Sequence, residues 1–449
     1  MIDSSSGHSP LGNGPPGNGH PGDRPLRIGI AGLGTVGGGV VELLAKNGGL
    51  VAERAGRPIE IAAVTARRRQ ADRHPAVARC RWVEDPLALA TDSGIDVVVE
   101  LIGGEGGIAL DLARATLIAG KSLVTANKAM LARWGTELGA LARRHGGGLA
   151  FEAAVAGGIP VIKALREGLA GNRIERLSGI LNGTCNYILS TMRETGRGFA
   201  DVLAEAQRLG YAEADPGLDI DGHDAAHKLA VLASIAFGIP VDIDSVFVEG
   251  IRHIAPIDIE YAEELGYRVK LIGSAVRTDR GVEQRVHPAM VRAEEPLARV
   301  DGVFNAVVIE GDAVGQVVLQ GRGAGGGPTA SAVVADLVDL AAGRRATSFP
   351  ADAGGNGSGA VPITEHRGAS YLRLMVLDRP GVIADIAAEL RNERVSLEAM
   401  IQRRHQPGAP VPIVLTTHPS EEAVLSRALA RIAELDSVVE PPRVIRIEP

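Results

Sequence analysis

Cysteine is almost absent: Cys80 and Cys185 are the two thiols in 449 residues. That excludes a disulfide framework and fits a reducing, cytosolic setting. Long apolar runs are missing too. The longest uncharged one, roughly residues 229–241, falls well short of the ~20 residues a membrane helix needs. Residues 1–25 lack the apolar centre of a signal peptide. There is no excess of positive charge either, since 47 basic against 54 acidic residues leave −7, a balance that favours solubility and argues against nucleic acid as the main partner. What is present is apolar material, 45% of the chain, enough for real cores. At ~100–200 residues per domain the length suggests two to four domains.

Two stretches punctuate the chain. Residues 1–25 are dominated by Gly, Pro, Ser, Asn and His and read as a disordered tail. Residues 346–369 contain "PADAGGNGSGAVP" and read as a flexible linker. From residue 26 short apolar strands alternate with helices: "LRIGIAG", "IEIAAVT", "DVVVELIGG", "SLVTA" and "LAFEAAV" are separated by helical patterns such as "TVGGGVVELLAKNG". That alternation predicts an α/β fold with a Rossmann-type, doubly wound parallel sheet over 26–151. Over 152–345 helices precede strands such as "RVKLIGSAV" and "NAVVIEG", which predicts a mixed α+β unit. Residues 370–449 follow a βαββαβ order, which is ferredoxin-like.

Gly32-x-Gly34-x-x-Gly37 stands where the first strand becomes the first helix. The first glycine permits a tight turn, the second lets backbone approach a pyrophosphate, and the third lets helix pack on strand. With Thr35 and Val36 between them, the helix N-terminus offers free N–H groups to phosphates. An NAD site usually ends its second strand with a carboxylate. Here stand Arg67, Arg68 and Arg69, with no carboxylate before Asp72. The arginines suit a 2′-phosphate and hence NADP, with NAD as the alternative; a solvated basic loop is the plainer reading. Lys128 follows a strand's carboxyl end, where open α/β sheets hold ligands. Glu213, Asp215, Asp219, Asp221 and Asp224 form an acidic cluster before Lys228. Such carboxylates suit a cationic group such as an ammonium, and a buried lysine beside another cation can act as a proton acceptor. Asp224 and Lys228 share a helix face at i,i+4 spacing, as does an ordinary salt bridge. "DIDGHD" lacks the Gly position and closing Glu of a calcium loop. His223 and His227 lack a third zinc ligand.

These segments, with "VTANK", "FEAAVAGGIPVI", "GILNGTCNYIL", "LGYAEADPGLDIDGHDAAHKLA", "EGIRHI", "LGYRVKLIG" and "GAGGGPTASAVVADL" in the same order, resemble the homoserine dehydrogenase family across residues 26–340. The resemblance implies reversible NAD(P)-linked oxidation of L-homoserine to L-aspartate 4-semialdehyde, on the route to threonine, methionine and isoleucine. It implies that Lys228 is the general acid/base with Lys128 beside it and near the nicotinamide, that Glu213 and Asp224 contact substrate, and that Asp219 serves hydride transfer or substrate binding. It places Gly325 against the cofactor, so that part of 305–345 completes the nucleotide domain. It also implies a sodium ion at Glu152, Val155, Gly157 and Ile159, where a simple hinge is the alternative. Two rival readings stand beside it: a semialdehyde dehydrogenase using Cys185 as a thiolate, and a non-catalytic amino-acid sensor.

The segment "LRLMVLDRPGVIADIAAELRNERVSLEAMIQ" resembles an ACT domain, a module that often binds an amino acid. This implies regulation by a pathway end product such as L-threonine, and a homodimer or homotetramer; a dimerisation module without ligand is the alternative. Glu393 and Arg394 stand where that family often has Asn-Gly, so the turn is expected to differ, because Arg takes positive φ reluctantly.

Overall fold

The structure is a computed structural model that describes residues 24–69, 74–344, 349–350, 359–403 and 409–448. The expected tail lies outside these apart from Arg24 and Pro25, as do residues 346–348 and 351–358 of the expected linker.

Six strands form the first sheet: β1 (Leu26–Ala31), β2 (Ile59–Thr65), β3 (Arg81–Trp82), β4 (Val97–Glu100), β5 (Ser122–Thr125) and β6 (Leu149–Ala150). Their spatial order is β3-β2-β1-β4-β5-β6, and every pairing is parallel. All four residues of β4 are buried, as expected when helices cover both faces of a sheet. The two-residue β3 has no periodicity to betray it and was not foreseen. The fifth expected strand, "LAFEAAV", is extended only at β6. Beyond it Glu152 turns the chain: its N–H donates to Asp336 Oδ2 at 2.9 Å, and its carboxylate accepts the N–H groups of Ile162 and Lys163 at 2.9 and 2.8 Å. Those bonds hold a 3-10 turn where apolar content alone suggests a strand.

The second sheet is long and mixed. Its strands are β7 (Ile174–Ile180), β8 (Phe247–Val248), β9 (Tyr267–Thr278), β10 (Gly281–Arg292), β11 (Phe304–Gly311), β12 (Gly315–Arg322), β13 (Ala360–Val361), β14 (Arg367–Leu377), β15 (Leu397–Ile401), β16 (Pro410–Thr417), β17 (Ser420–Glu421) and β18 (Arg443–Glu448). The main path runs β12-β11-β7-β9-β10-β18-β14-β16-β15. The helix His223–Phe237, almost wholly buried, lies on β9 and β10.

The C-terminal βαββαβ order holds, with helices Val382–Asn392 and Glu422–Ala433. Two expectations about this region need correction. First, its sheet is not a separate body on a loose tether. β18 pairs antiparallel with β14 and parallel with β10, Arg446 opposite Ala289, so one sheet passes from the catalytic half into the C-terminal unit. The linker is anchored at both sides as well. Phe349 is buried and stacks on Phe151 with ring centroids 4.6 Å apart, β13 pairs with β10, and Arg367 already begins β14. Second, the turn after the helix Val382–Asn392 does use a left-handed residue: Arg394 has φ +61°. Its N–H donates to the carbonyl of Arg391 and that of Val395 to Leu390. These bonds close the helix end and offset the ~1–2 kcal/mol that a left-handed conformation costs a residue with a Cβ.

Candidate active site

The glycine loop is built as its spacing requires. Gly32 has φ +102°, and a Cβ there would lie 2.4 Å from the carbonyl oxygen of Leu101. A Cβ on Gly37 would lie 2.0 Å from the oxygen of Gly32. Gly34 precedes the helix α1 (Thr35–Ala55), whose first turn has no side-chain cap, so its N–H groups and its positive end are available to an anion. A second helix, Gly326–Ala341, starts beside it: Gly325 has φ +114°, and a Cβ on Gly326 would lie 3.0 Å from the carbonyl oxygen of Thr35. Two helix N-termini therefore converge, one early and one late in the sequence. Beyond β2, Arg67, Arg68 and Arg69 are exposed. Arg69 lies 5.6 Å from the ring centroid of Trp82.

Lys128 is the first residue of the helix Lys128–His145. Asn127 caps that helix, accepting the N–H of Met130 at 3.1 Å and donating to the carbonyl of Gly104 at 2.7 Å. Behind it the buried carboxylate Glu100 accepts the Thr125 hydroxyl at 2.6 Å and the N–H groups of Ile102 and Gly103 at 2.7 and 3.1 Å. This network fixes both the glycine-rich loop after β4 and the start of the lysine's helix.

From the other half, Asp224 lies in the first turn of the helix His223–Phe237, and Lys228 one turn later. Asp224 Oδ1 pairs with Lys128 Nζ at 2.7 Å, and Asp224 Oδ2 with Lys228 Nζ at 2.7 Å. Lys228 Nζ also donates to the carbonyl of Leu181 at 2.7 Å. Asn182 donates to Asp224 Oδ2 and to Asp219 Oδ1, both at 2.8 Å. These side chains line a cavity of about 390 Å³, together with Thr184, Tyr211, Asn305, Arg322 and Gly325.

Electrostatics separates the two lysines. Burial strips solvent from the Lys228 ammonium and holds its pKa below the usual lysine value; the charge of Lys128 adds to this while Asp224 opposes it. Burial also acts downward on Lys128, but Asp224, Asp219 and Glu213 outweigh it, and Lys128 stays above the usual value. Burial pushes Asp224 upward, yet the two lysines hold it well below the carboxylate range. A cavity holding a shared carboxylate, one lysine with a lowered pKa and a second with a raised one is suited to moving a proton on a polar substrate.

The structure thus brings Lys128, Asp219, Asp224 and Lys228 together. Glu213 is exposed and is not among the cavity's lining residues. Asp221 pairs with Arg252. Cys185 is fully buried, and burial drives its thiol well above the usual value, which disfavours the thiolate that the rival reading needs. Asn182, Glu100 and Asn127 escaped sequence reasoning. Asn182 and Asn127 carry a legible signal, a capping Asn just before a helical run; a lone carboxylate ending an apolar strand is the only hint of Glu100.

Comparison with known proteins agrees with this architecture. Residues 32–152 match the family model described as "Homoserine dehydrogenase, NAD binding domain", residues 160–338 match "Homoserine dehydrogenase", and residues 370–437 match "ACT domain". The chain is 48% identical to the homoserine dehydrogenase of Pseudomonas aeruginosa, covering 95% of this chain and 99% of that one. It is 40% identical to that of Mycobacterium tuberculosis, over 95% and 98%. A crystal structure of a homoserine dehydrogenase from Thiobacillus denitrificans superposes with a TM-score of 0.89 at 46% identity, covering 95% and 98%. A hyperthermophilic archaeal homoserine dehydrogenase in complex with NADPH gives 0.60 at 28%, covering 70% and 97%.

Proposed function

Because this chain belongs to the homoserine dehydrogenase family, and so is an NAD(P)-dependent oxidoreductase interconverting L-homoserine and L-aspartate 4-semialdehyde, we propose that Lys228 is its general acid/base and that Lys128 assists it. The observation that carries this reading is the single carboxylate of Asp224 shared by the two lysines at 2.7 Å each. In oxidation Lys228 takes the hydroxyl proton as the C–H hydride leaves. In reduction it returns that proton to the aldehyde oxygen. The nicotinamide, when bound, accepts or supplies the hydride. Asp224 and Asp219 receive the substrate's ammonium, and Glu213 joins them from its exposed loop. The test is homoserine-dependent reduction of NADP, with NAD run in parallel, by the parent and by Lys228→Ala. We expect the variant to bind cofactor normally and to lose turnover; a kcat within a few fold of the parent would remove Lys228 from the mechanism.

The same reading assigns residues 26–151, with part of 305–345, to cofactor, 152–345 to substrate and dimerisation, and 370–449 to control. Gly32, Gly34, Thr35, Val36, Gly37 and Gly325 cradle the pyrophosphate end, and Arg67 and Arg68 select NADP over NAD. A sodium ion fits the turn at Glu152, Val155, Gly157 and Ile159. Ala156 and Gly157 have φ +54° and +51°, and the carbonyls of the buried residues Val155 and Gly157 take no hydrogen bond from any described residue. Such carbonyls suit a hard cation. Its role would be to brace the junction between the halves.

The ACT domain makes amino-acid regulation part of the reading, with L-threonine the proposed effector. A cavity of about 650 Å³ lies at Asp378, Arg379, Pro380 and Gly381, where the helix Val382–Asn392 begins. Calorimetric titration of threonine tests this, and no binding at millimolar concentration would end the claim. A homodimer or homotetramer is the proposed assembly, supported by Val314 and Val318, exposed on the edge strand β12 and the turn before it. Light scattering decides it. Among the described residues no helix is long and apolar enough to cross a membrane, and we place the enzyme in the cytoplasm on its cysteine content.

A further inference from the structure

We propose that Asn182 is a positioning residue of the reaction, bridging Asp219 and Asp224 so that Lys228 is held in one proton-transfer geometry; this rests on the reading of Lys228 as acid/base. Asn182 is buried, and its amide is fully committed. One N–H goes to Asp219 Oδ1 and one to Asp224 Oδ2, both at 2.8 Å, while its Oδ1 accepts the N–H of Cys185 at 2.8 Å. The partners decide the amide's orientation, because reversing it would set its oxygen against two carboxylates.

The residue type follows from the charge count. Two carboxylates brought together without a donor repel and raise each other's pKa. A cation between them would compete with both lysines for Asp224. A neutral double donor joins the carboxylates and adds no charge. Thr184 is no substitute: its single hydroxyl proton faces both the Tyr211 carbonyl at 2.7 Å and Asp219 Oδ2 at 3.1 Å, and serves one of them. The neighbouring residue completes the device, since the Leu181 carbonyl holds Lys228 Nζ at 2.7 Å. One bend of chain after β7 therefore orients the lysine by its carbonyl and the lysine's counterion by its side chain. The charged groups acting on Lys228 are Asp224, Lys128 and Asp219, and Asn182 touches both carboxylates among them.

The test is Asn182→Ser, which keeps a helix-capping side chain but reaches neither carboxylate as a double donor, with Asn182→Asp, which keeps the shape and loses both donors. Melting temperature, NADP Kd, kcat, KM and the pH profile of kcat for homoserine oxidation are read together. We expect Asn182→Ser to fold and bind NADP like the parent. Its kcat should fall by about 10²-fold, the scale of a 1 Å misplacement. The rise of kcat with pH should move to higher pH, because an Asp224 freed of one donor pairs more strongly with Lys228. Asn182→Asp should be worse on both counts. An unchanged kcat and pH profile in folded Asn182→Ser overturns the proposal. So does a kcat loss that tracks a fall in melting temperature with the pH profile unmoved. Lys228→Ala in parallel separates the two readings. If it is inactive while Asn182→Ser is normal, only the positioning role falls; if it keeps the parent's kcat, the acid/base reading falls and takes this one with it.

Discussion

At the cavity one buried carboxylate, Asp224, is shared by two lysines. Where β10 meets β18 the pattern is inverted, and one buried guanidinium, Arg285, is shared by Glu283 at 2.5 Å and Glu448 at 2.8 Å. Arg176 and His287 also face Glu448, and Arg446 of β18 ties Glu249 to Glu422. Both clusters have buried centres, Asp224 with Lys228 in one and Arg285 with Glu448 in the other, yet they are made for different ends. Lysine can shed its proton when burial and a like charge press on it, and Lys228 is pushed in that direction. Arginine in a protein does not. Burial works against the Arg285 charge, but Glu448 and Glu283 hold its pKa above the usual value. Burial likewise works against the Glu448 carboxylate, but Arg285, His287 and Arg176 keep it well below the usual range. The site holds a cation whose proton is loosened; the joint keeps its own charge and gives the sheet a fixed register.

Exchanging the materials is the strongest way to break this contrast. Lys228→Arg keeps a cation opposite Asp224 but removes the titratable proton, and kcat for homoserine oxidation should fall by ~10²–10⁴-fold, the usual loss on removing general acid/base catalysis. Arg285→Lys, far from the cavity lining, should leave kcat within a few fold. Turnover in Lys228→Arg near the parent's would erase the distinction.

Next in size is stability. Glu448→Ala strands Arg285 among fewer anions, and breaking a buried pair costs ~3–5 kcal/mol. Urea unfolding should show a loss of unfolding free energy of that order; a loss below about 1 kcal/mol would mean that the joint tolerates its own dismantling.

The two clusters should also answer pH at opposite ends. The folded-state pKa of Lys228 lies below its ordinary 10.5, so between the two values the unfolded chain binds more protons. Stability contributed by this group therefore rises with pH across that window, and oxidation rate should rise as the amine is freed. The folded-state pKa of Glu448 lies below its ordinary 4.5. Its contribution is present above 4.5 and is lost as pH falls through the folded value. A kcat profile without an alkaline rise, or unfolding of the joint near neutrality, would contradict the assignment.

The smallest effect concerns fixed charges at the surface. Arg67→Ala and Arg68→Ala should lower the NADP:NAD ratio of kcat/KM by about tenfold, through lost charge-assisted bonds to the 2′-phosphate. A ratio unmoved in both would make this a solvated loop.

How far these clusters could be read from sequence differs for a physical reason. Gly32, Gly34 and Gly37 are legible because their spacing encodes a local turn, and Asp224 with Lys228 because i,i+4 neighbours share a helix face. Lys128 is legible as a residue that follows a strand. The joint is not. β10 reads "GVEQRVHPAMVR", with charges that suggest a surface, and it is buried because β18 supplies Glu448 from the far end of the chain. The double role of Asn182 is hidden for the same reason: its cap is local, but the carboxylates it joins come from two distant helices, Gly217–Ile220 and His223–Phe237. Arg394 shows the limit of a propensity rule, since the bonds that close its helix override the preference for glycine.

The parallel pairing of β18 on β10 also sets an order of events during synthesis. When β10 leaves the ribosome its partner strand has not yet been translated, and the edge that will carry Arg446 opposite Ala289 stands open with Arg285 and His287 along the same strand. The nascent chain must therefore keep that edge from other strands until the C-terminal unit arrives. Cutting the protein before β14 would recreate this intermediate permanently, so a shortened enzyme intended to lack only regulation should be recovered mainly as aggregate.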